Sequence, residues 1–391
     1  MEHKHDYLII GAGMAADAAA KAIREVDAGA NVGMVGDEAQ PPYQRPPLSK
    51  ALWKGDKSVA DIDLATAASG AQLHAGRHIE SLDRAAHVAR DDHGDTYRYR
   101  RLLLATGATP RRLPFDGGER LIHFRTLDDY QALRRYAQPG AYIAVIGGGF
   151  IGSELAASLS SAGCKVTMLF PGPAIGAGRY PAGLAGYLDN YYRSHDVDVR
   201  SGITVTGGGA TDGGVELALS DGEVLRVEAV VAGLGVTPNT ALAEQVGLAV
   251  DNGIVVDAQL RSSDPDIWAA GDVANFHSAA LDRRMRVEHE DAATGMGRLA
   301  GRAMAGADEQ YTTLPFFYSD LFDLGYEAVG LLDTRLETVE RWQEPNRKGV
   351  VAYVDAERRP RGYLLWNVWD TVDKARDAIR AGEPVGEEPL G

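Results

Sequence analysis

Twice in this chain an apolar, strand-forming run is followed at once by clustered glycines and then by a segment of helical periodicity. The first copy is DYLIIGAGMAADAAAKAIREV, with the strand NVGMVGDE after it, and the second is YIAVIGGGFIGSELAASLSSAG, followed by KVTMLF. Strand, turn, helix and strand in that order make a βαβ unit, whose parallel strands predict a doubly wound sheet. Two such units restrict the chain to an α/β architecture with two Rossmann-like halves. The glycine excess, 46 of 391 residues, lies largely in these clusters and marks tight turns, not collagen or disorder.

In the first turn Gly11 permits the sharp reversal, Gly13 lets a pyrophosphate approach the backbone and Ala16 allows close packing of helix on strand. The helix start offers unpaired N–H groups and partial positive charge to phosphates. Asp37 and Glu38 stand near the place of a ribose-binding acid, and one of them could equally be a surface acid at a strand end. The second turn, Gly147, Gly148, Gly149, Phe150, Ile151 and Gly152, fits the stricter glycine pattern. Two dinucleotide sites in one chain suit hydride transfer from a nicotinamide to a flavin. No acid stands between Glu154 and Asp189, and Arg179 is the one cation past that strand end, so the choice between NADH and NADPH stays open.

Composition removes several classes. Lys plus Arg number 40 against 55 Asp plus Glu, a net charge of −15, which argues against a nucleic-acid groove and requires any acidic partner to meet a local basic patch. The single cysteine, Cys164, permits no intrachain disulfide, no paired-thiolate zinc site and no redox dithiol, and its place in SLSSAGC puts it on the second helix as a packing residue. The strand from Tyr7 to Ile10 begins too early for an export signal ahead of it, and the uncharged stretches contain Pro and repeated Gly, so no membrane span is expected. A cytoplasmic protein is the expectation.

At 391 residues the chain has room for two or three domains. YRRLLLATGATPRRLP closes the first unit at Gly107 and Pro110, VVAGLGVTPN is a matching strand-turn, and GIVVDAQLRSSDPDIWAAGDVA ends a strand at Gly271 and Asp272. DAATGMGRLAGRAMAG has the small-residue spacing of a closely packed helix. From about Tyr311 the character changes: GYEAVGLLD, KGVVAYVD and RGYLLWNVW alternate like antiparallel strands before a charged helix, Thr371 to Ala381, and predict a C-terminal α+β domain. RPPLSK reads as an extended turn, because proline disfavours helix in the residue before it.

PPYQRPPLSKALW, LLLATGATPRRLP, VIGGGFIGSELA, IWAAGDVA, RVEHEDAA and YSDLFDLGYEAVGLLD, in that order, resemble the FAD-dependent ferredoxin reductases of oxygenase systems, with the pyridine nucleotide-disulfide oxidoreductase fold, and apoptosis-inducing factor. The resemblance implies an FAD domain over 1–112 and 240–310, an NAD(P)H domain over 113–239 and a C-terminal interface domain over 311–391. It implies that Gly11, Gly13, Ala16, Asp37, Glu38, Arg45, Lys50, Thr106, Gly107 and Asp272 serve FAD. Gly147, Gly149, Phe150, Ile151, Gly152, Glu154 and Arg179 would then serve NAD(P)H. Glu154 pairs with catalytic Lys50 beside the flavin on this reading, Glu288 and His289 resemble nicotinamide-side residues, and Tyr318 replaces the family's usual Trp. Taken without the resemblance, Lys50 reads equally as a solvated surface group, Asp272 as a ligand position at a strand end or a turn aspartate, Glu154 as a carboxylate favoured at a helix start, His289 as a capping or surface histidine and Tyr318 as a stacking ring or a core aromatic.

The activity so implied is electron transfer from NADH, with NADPH as the other candidate donor, through FAD to a ferredoxin-type iron–sulfur carrier or a rubredoxin, with no metal of the chain's own. A quinone or oxygen reductase and a redox-sensing flavoprotein are the alternatives, in a monomer or homodimer. Arg283, Arg284 and Arg286, with Arg298 and Arg302, are the candidates for a basic docking face.

Overall fold

The computed structural model describes residues 1–390. The chain divides into two compact units, each assembled from segments far apart in sequence. One comprises Met1–Arg45, Val59–Thr109 and Thr237–Pro315, and the other comprises Pro46–Ser58, Pro110–Val236 and the residues from Phe316 onward.

The first unit is built on a sheet in which Gln72–Ala75, Val32–Gly36, Glu2–Ile10 and Thr96–Leu104 lie side by side and parallel, with Ile267–Ala269 also parallel to the last. Its central strands are continuous apolar runs, Leu8, Ile9, Leu102, Leu103 and Leu104 being fully buried, as sheets covered on both faces require. Glu2–Ile10 is longer than the apolar run from Tyr7 suggests, because Glu2 to His5 continue the ladder against Thr96 to Tyr99 despite their polarity. The helix Met14–Val26 packs along Glu290–Met304, and the small-residue spacing expected of the latter is what the contact uses. A Cβ on Gly297 would lie 2.1 Å from the Ala15 carbonyl oxygen, and one on Gly301 would lie 2.4 Å from that of Ala19.

On this sheet three histidines cluster, two from Glu2–Ile10 and one from Gln72–Ala75. His3 and His74 have ring centroids 4.5 Å apart, His5 and His74 5.8 Å, and His3 stacks on Tyr97. The absence of a side chain at Gly33, over which the His5 ring lies, lets His5 reach across the intervening strand. Burial pushes the His74 imidazole down to about 4, helped by repulsion from His3, His5 and Arg77. The unfolded chain therefore binds the extra proton between pH 6.5 and 4, so this contribution is present above 6.5 and lost as the pH falls. Between those limits the loss is at most about 3 kcal/mol. His74→Gln is expected to flatten the dependence of Tm on pH between 6.5 and 4.5, and an unaltered slope in the variant contradicts the assignment.

The second unit contains a parallel five-stranded sheet in the order Val197–Ser201, Lys165–Phe170, Tyr142–Ile146, Ala229–Ala232, Leu121–His123. An antiparallel ribbon, Val205–Thr211, Gly214–Leu219 and Val224–Val227, closes one side of its core with Val215, Leu217 and Leu225. The C-terminal segment forms a five-stranded antiparallel sheet in the order Phe316–Leu321, Leu324–Gly330, Pro360–Trp366, Lys348–Val354, Glu337–Glu344, with the helix Val372–Ala381 against its central strands. Tyr326, Tyr353, Tyr363 and Trp366 are its large buried residues. The architecture is α/β, with two Rossmann-like sheets and a C-terminal antiparallel sheet.

Two local expectations are corrected. Pro46–Ser49 is a turn of 3-10 helix followed by Ala51–Lys54, not an extended segment. The fixed φ of proline suits a first helical turn, where its missing N–H costs nothing, and Lys50 N–H then closes the turn on the Pro47 carbonyl at 3.2 Å. Cys164 lies past the end of the helix Phe150–Ser161, immediately before the next strand. Its thiol is buried, donates to the Gln138 carbonyl, and is pushed up in pKa by burial, which leaves it a packing group.

Candidate active site

Helix starts in this chain differ in how they are capped. Thr126 caps Leu127–Tyr136 with a reciprocal capping box, and the His289 ring accepts from Asp291 N–H at the start of Glu290–Met304. The helices after the two glycine turns, Met14–Val26 and Phe150–Ser161, have glycine at the cap and no side-chain cap hydrogen bond. Their N–H groups and partial positive charge are thereby left for an external anion. A Cβ on Gly13 would meet nothing within 4 Å, so the first turn is open on that side, whereas one on Gly11, at φ +116°, would lie 2.1 Å from the Ala105 carbonyl oxygen.

Around the first turn the predicted residues converge within the first unit. The Arg45 guanidinium pairs with the Glu38 carboxylate, and Arg45 and Glu38 both bond the Tyr43 hydroxyl. Burial opposes the Arg45 charge, but Tyr43, Glu38 and Asp272 outweigh it and hold the group above its ordinary value. Asp37 is exposed and faces His78, so the two adjacent acids have separate surroundings. Thr106 and Gly107 are pinned by Asn239, whose amide donates to the Thr106 carbonyl while its backbone carbonyl accepts from the Thr106 hydroxyl, both at 2.8 Å. Asn239 was not singled out from sequence. A dinucleotide fits this donor set: open glycine turn, uncapped helix, and a half-buried guanidinium and carboxylates.

In the second unit Lys50 and Glu154, 104 positions apart in the chain (154 − 50), form a buried ion pair, with Nζ 2.9 Å from Oε1 and side-chain exposures of 11% and 3%. Lys50 follows the Pro46–Ser49 turn, and Glu154 lies in the first two turns of Phe150–Ser161. The same carboxylate accepts from Ser49 and Ser319, each at 2.6 Å. The ring of Tyr318 lies 5.0 Å from Lys50 Nζ, a cation–π contact. Both serines lie inside segments quoted above, Ser49 in RPPLSK and Ser319 in YSDLFDLGYEAVGLLD, but nothing in those segments marks the serine itself as a partner of Glu154.

At the second turn Arg179 takes a specific place. Its guanidinium lies 4.1 Å from the Phe150 ring centroid, and its Nη2 would be 3.3 Å from a Cβ on Gly149. Phe150 in turn stacks on Phe317. Phe170 fills the strand end where a ribose-binding acid would stand and is buried with its ring against Gly148. Arg179 thus stands beside the glycine turn and not at the end of the following strand. Arg179→Ala is accordingly expected to raise KM roughly tenfold for both dinucleotides, the scale of one charge-assisted hydrogen bond. A tenfold change in their ratio instead would place Arg179 at the 2′-position.

The family described as pyridine nucleotide-disulphide oxidoreductase matches residues 5–297, and the C-terminal domain of mitochondrion-associated apoptosis-inducing factor matches 300–347. The chain belongs to the pyridine nucleotide-disulphide oxidoreductase family. It is 34% identical to the ferredoxin–NAD(+) reductase component of the anthranilate 1,2-dioxygenase system of Burkholderia cepacia, over 96% of this chain and 94% of that one. It is 31% identical to apoptosis-inducing factor 1 of Dictyostelium discoideum, over 95% of this chain and 78% of the other. Among solved structures, the covalent putidaredoxin reductase–putidaredoxin complex superposes with a TM-score of 0.93 at 30% identity, covering 99% of this chain and 95% of the matched one.

Within this family the present chain lacks the dithiol of disulfide reductases, since Cys164 is its one cysteine. The five arginines considered for docking have different surroundings. Arg284 donates to the carbonyls of Val256 and Asn275, and Arg286 is turned inward onto Glu288 and the Asp272 carbonyl. Arg298 and Arg302 share Glu25, and Arg302 also binds Glu309. Arg283, Arg284 and Arg298 are exposed. Neighbouring acids pair with Arg286, Arg298 and Arg302. Glu288, through Arg286, and His289, through its capping role, stand at the start of Glu290–Met304. No helix among the described residues is long and apolar enough to cross a membrane.

Proposed function

We propose that this chain is an FAD-dependent oxidoreductase that takes hydride from NADH and delivers electrons singly to a small ferredoxin-type iron–sulfur protein of an oxygenase system, in the cytoplasm. The observation that carries this reading is the buried Lys50–Glu154 pair beside the second glycine turn, in a chain with no second thiol. The anthranilate dioxygenase reductase component and the reductase crystallised with putidaredoxin support the acceptor class.

Bound FAD supplies a group that accepts hydride and returns its electrons one at a time. The chain's residues do the rest. Gly11, Gly13 and the start of Met14–Val26, with Arg45, Glu38 and Asp272, hold the FAD dinucleotide, while Gly147, Gly149, Gly152 and Arg179 hold the pyrophosphate of NADH. Glu154 fixes the Lys50 ammonium, which would offer a preorganised positive charge to the reduced flavin, and such charges contribute most when water is excluded. Arg45, held above its ordinary pKa, stays a cation for the FAD phosphates.

Purified protein is expected to be yellow, with one FAD per chain, to be bleached by NADH without oxygen, and to reduce cytochrome c only when a [2Fe–2S] ferredoxin is added. Absence of flavin refutes the proposal, and rapid NADH reduction without any ferredoxin-dependent rate refutes the acceptor. The match over 300–347 favours one second reading, redox sensing as in apoptosis-inducing factor. Slow turnover with every acceptor, together with a nucleotide-dependent oligomeric state, identifies that case.

A further inference from the structure

We propose that Ser49 and Ser319 are positioning residues for flavin reduction, holding the Glu154 carboxylate in the one orientation that presents Lys50. The inference rests on the function proposed above and concerns how its ion pair is set. Glu154 Oε2 accepts from the Ser49 hydroxyl at 2.6 Å, and Oε1 accepts from the Ser319 hydroxyl at 2.6 Å and from Lys50 Nζ at 2.9 Å. Ser49, Ser319 and Glu154 are 2%, 1% and 3% exposed, so water does not compete for these contacts.

A terminal carboxylate rotates over a broad, roughly two-fold torsion. An ion pair to one oxygen therefore leaves the direction of the ammonium loose. Donors on opposite oxygens remove that freedom. Each comes from an element anchored elsewhere: Ser319 sits in the strand Phe316–Leu321, and the carbonyl of Ser49 accepts from Ser158, one turn beyond Glu154 on the same helix, at 2.7 Å. Ser319 also follows Tyr318, whose ring flanks Lys50. The second oxygen of Glu154 lies outside the Lys50 contact, so the Ser49 bond to it adds a constraint on orientation that the ion pair alone does not supply. Its role is to set direction.

The test compares Ser49→Ala, Ser319→Ala, the double variant and Ser319→Thr, all as flavin-loaded protein. Anaerobic stopped-flow reduction by NADH gives the limiting rate and the NADH Kd, and trace acetylation with acetic anhydride, read by mass spectrometry against exposed Lys4 and Lys374, reports how tightly Lys50 is held. Each Ala variant is expected to lower the limiting rate about fivefold, the worth of one buried hydrogen bond. NADH Kd is expected to stay unchanged, Lys50 acetylation to rise, and Ser319→Thr, which keeps the hydroxyl, to recover both. A folded double variant with unchanged rate and unchanged acetylation overturns the proposal, as does a rate loss matched by an equal rise in Kd. If an Ala variant fails to fold, Ser319→Cys, similar in size with only a weak donor, carries the same comparison. A wild type that NADH does not reduce refutes the function, while the acetylation result still decides whether the serines hold Lys50.

Discussion

Lys50→Ala is expected to lower the limiting rate of flavin reduction by NADH roughly 100-fold to 1,000-fold, the range seen when one preorganised donor is removed from a developing charge. FAD content is expected to stay near one per chain, because the groups assigned to FAD phosphate and ribose lie in the other unit. The substitution leaves Glu154 buried with two serine donors and no cation. Breaking a buried pair typically destabilises by about 3–5 kcal/mol, so Tm must be followed alongside the rate. Glu154→Gln keeps the shape of the side chain and removes only its charge, and a smaller loss is expected from it. Stopped-flow traces that superpose on wild type in both variants would remove the pair from the chemistry.

Gly152→Ala is expected to separate the two dinucleotide sites. Its Cβ would lie 1.9 Å from the Gly147 carbonyl oxygen, a backbone atom, so the second turn must move. Local backbone distortion of this kind costs about 1–3 kcal/mol, and NADH binding is expected to weaken roughly tenfold to hundredfold. The protein stays yellow, and dithionite reduces it normally. Wild-type KM for NADH in this variant would show that the turn does not bind the dinucleotide.

Both of these residues stand out in the sequence, for different reasons. Gly152 belongs to a six-residue turn, and Lys50 to a proline-rich segment whose resemblance to known reductases is specific. Ser49 and Ser319 were not legible. They meet Glu154 across 105 and 165 residues, and serine has no spacing rule that reveals such a partner. Polar strands fared similarly: Glu337–Glu344 has exposed charged residues on both sides of its alternation, so it lacks the period-2 signal that exposed Lys348–Val354 as a strand. The Pro46–Ser49 turn misled in the other direction, since a steric rule for one residue gave way to a turn that four residues close together. For the arginines, sequence shows the cations but not the carbonyls and acids that Arg284, Arg286, Arg298 and Arg302 fold onto.

The division of the chain into interleaved segments also fixes when it can fold during synthesis. The first unit needs Ile267–Ala269 beside Thr96–Leu104, and Glu290–Met304 against its opening helix, so it stays incomplete until about residue 315 has emerged from the ribosome. Pro110–Val236, containing one whole parallel sheet, emerges as a continuous stretch before that. Order of completion is therefore the reverse of order in sequence: the N-terminal sheet waits, with Leu8, Ile9, Leu102 and Leu103 uncovered, for a partner translated well over a hundred residues after the last of them. A nascent chain stalled near residue 240 is expected to bind chaperone through those strands, and one stalled past the whole sequence is not.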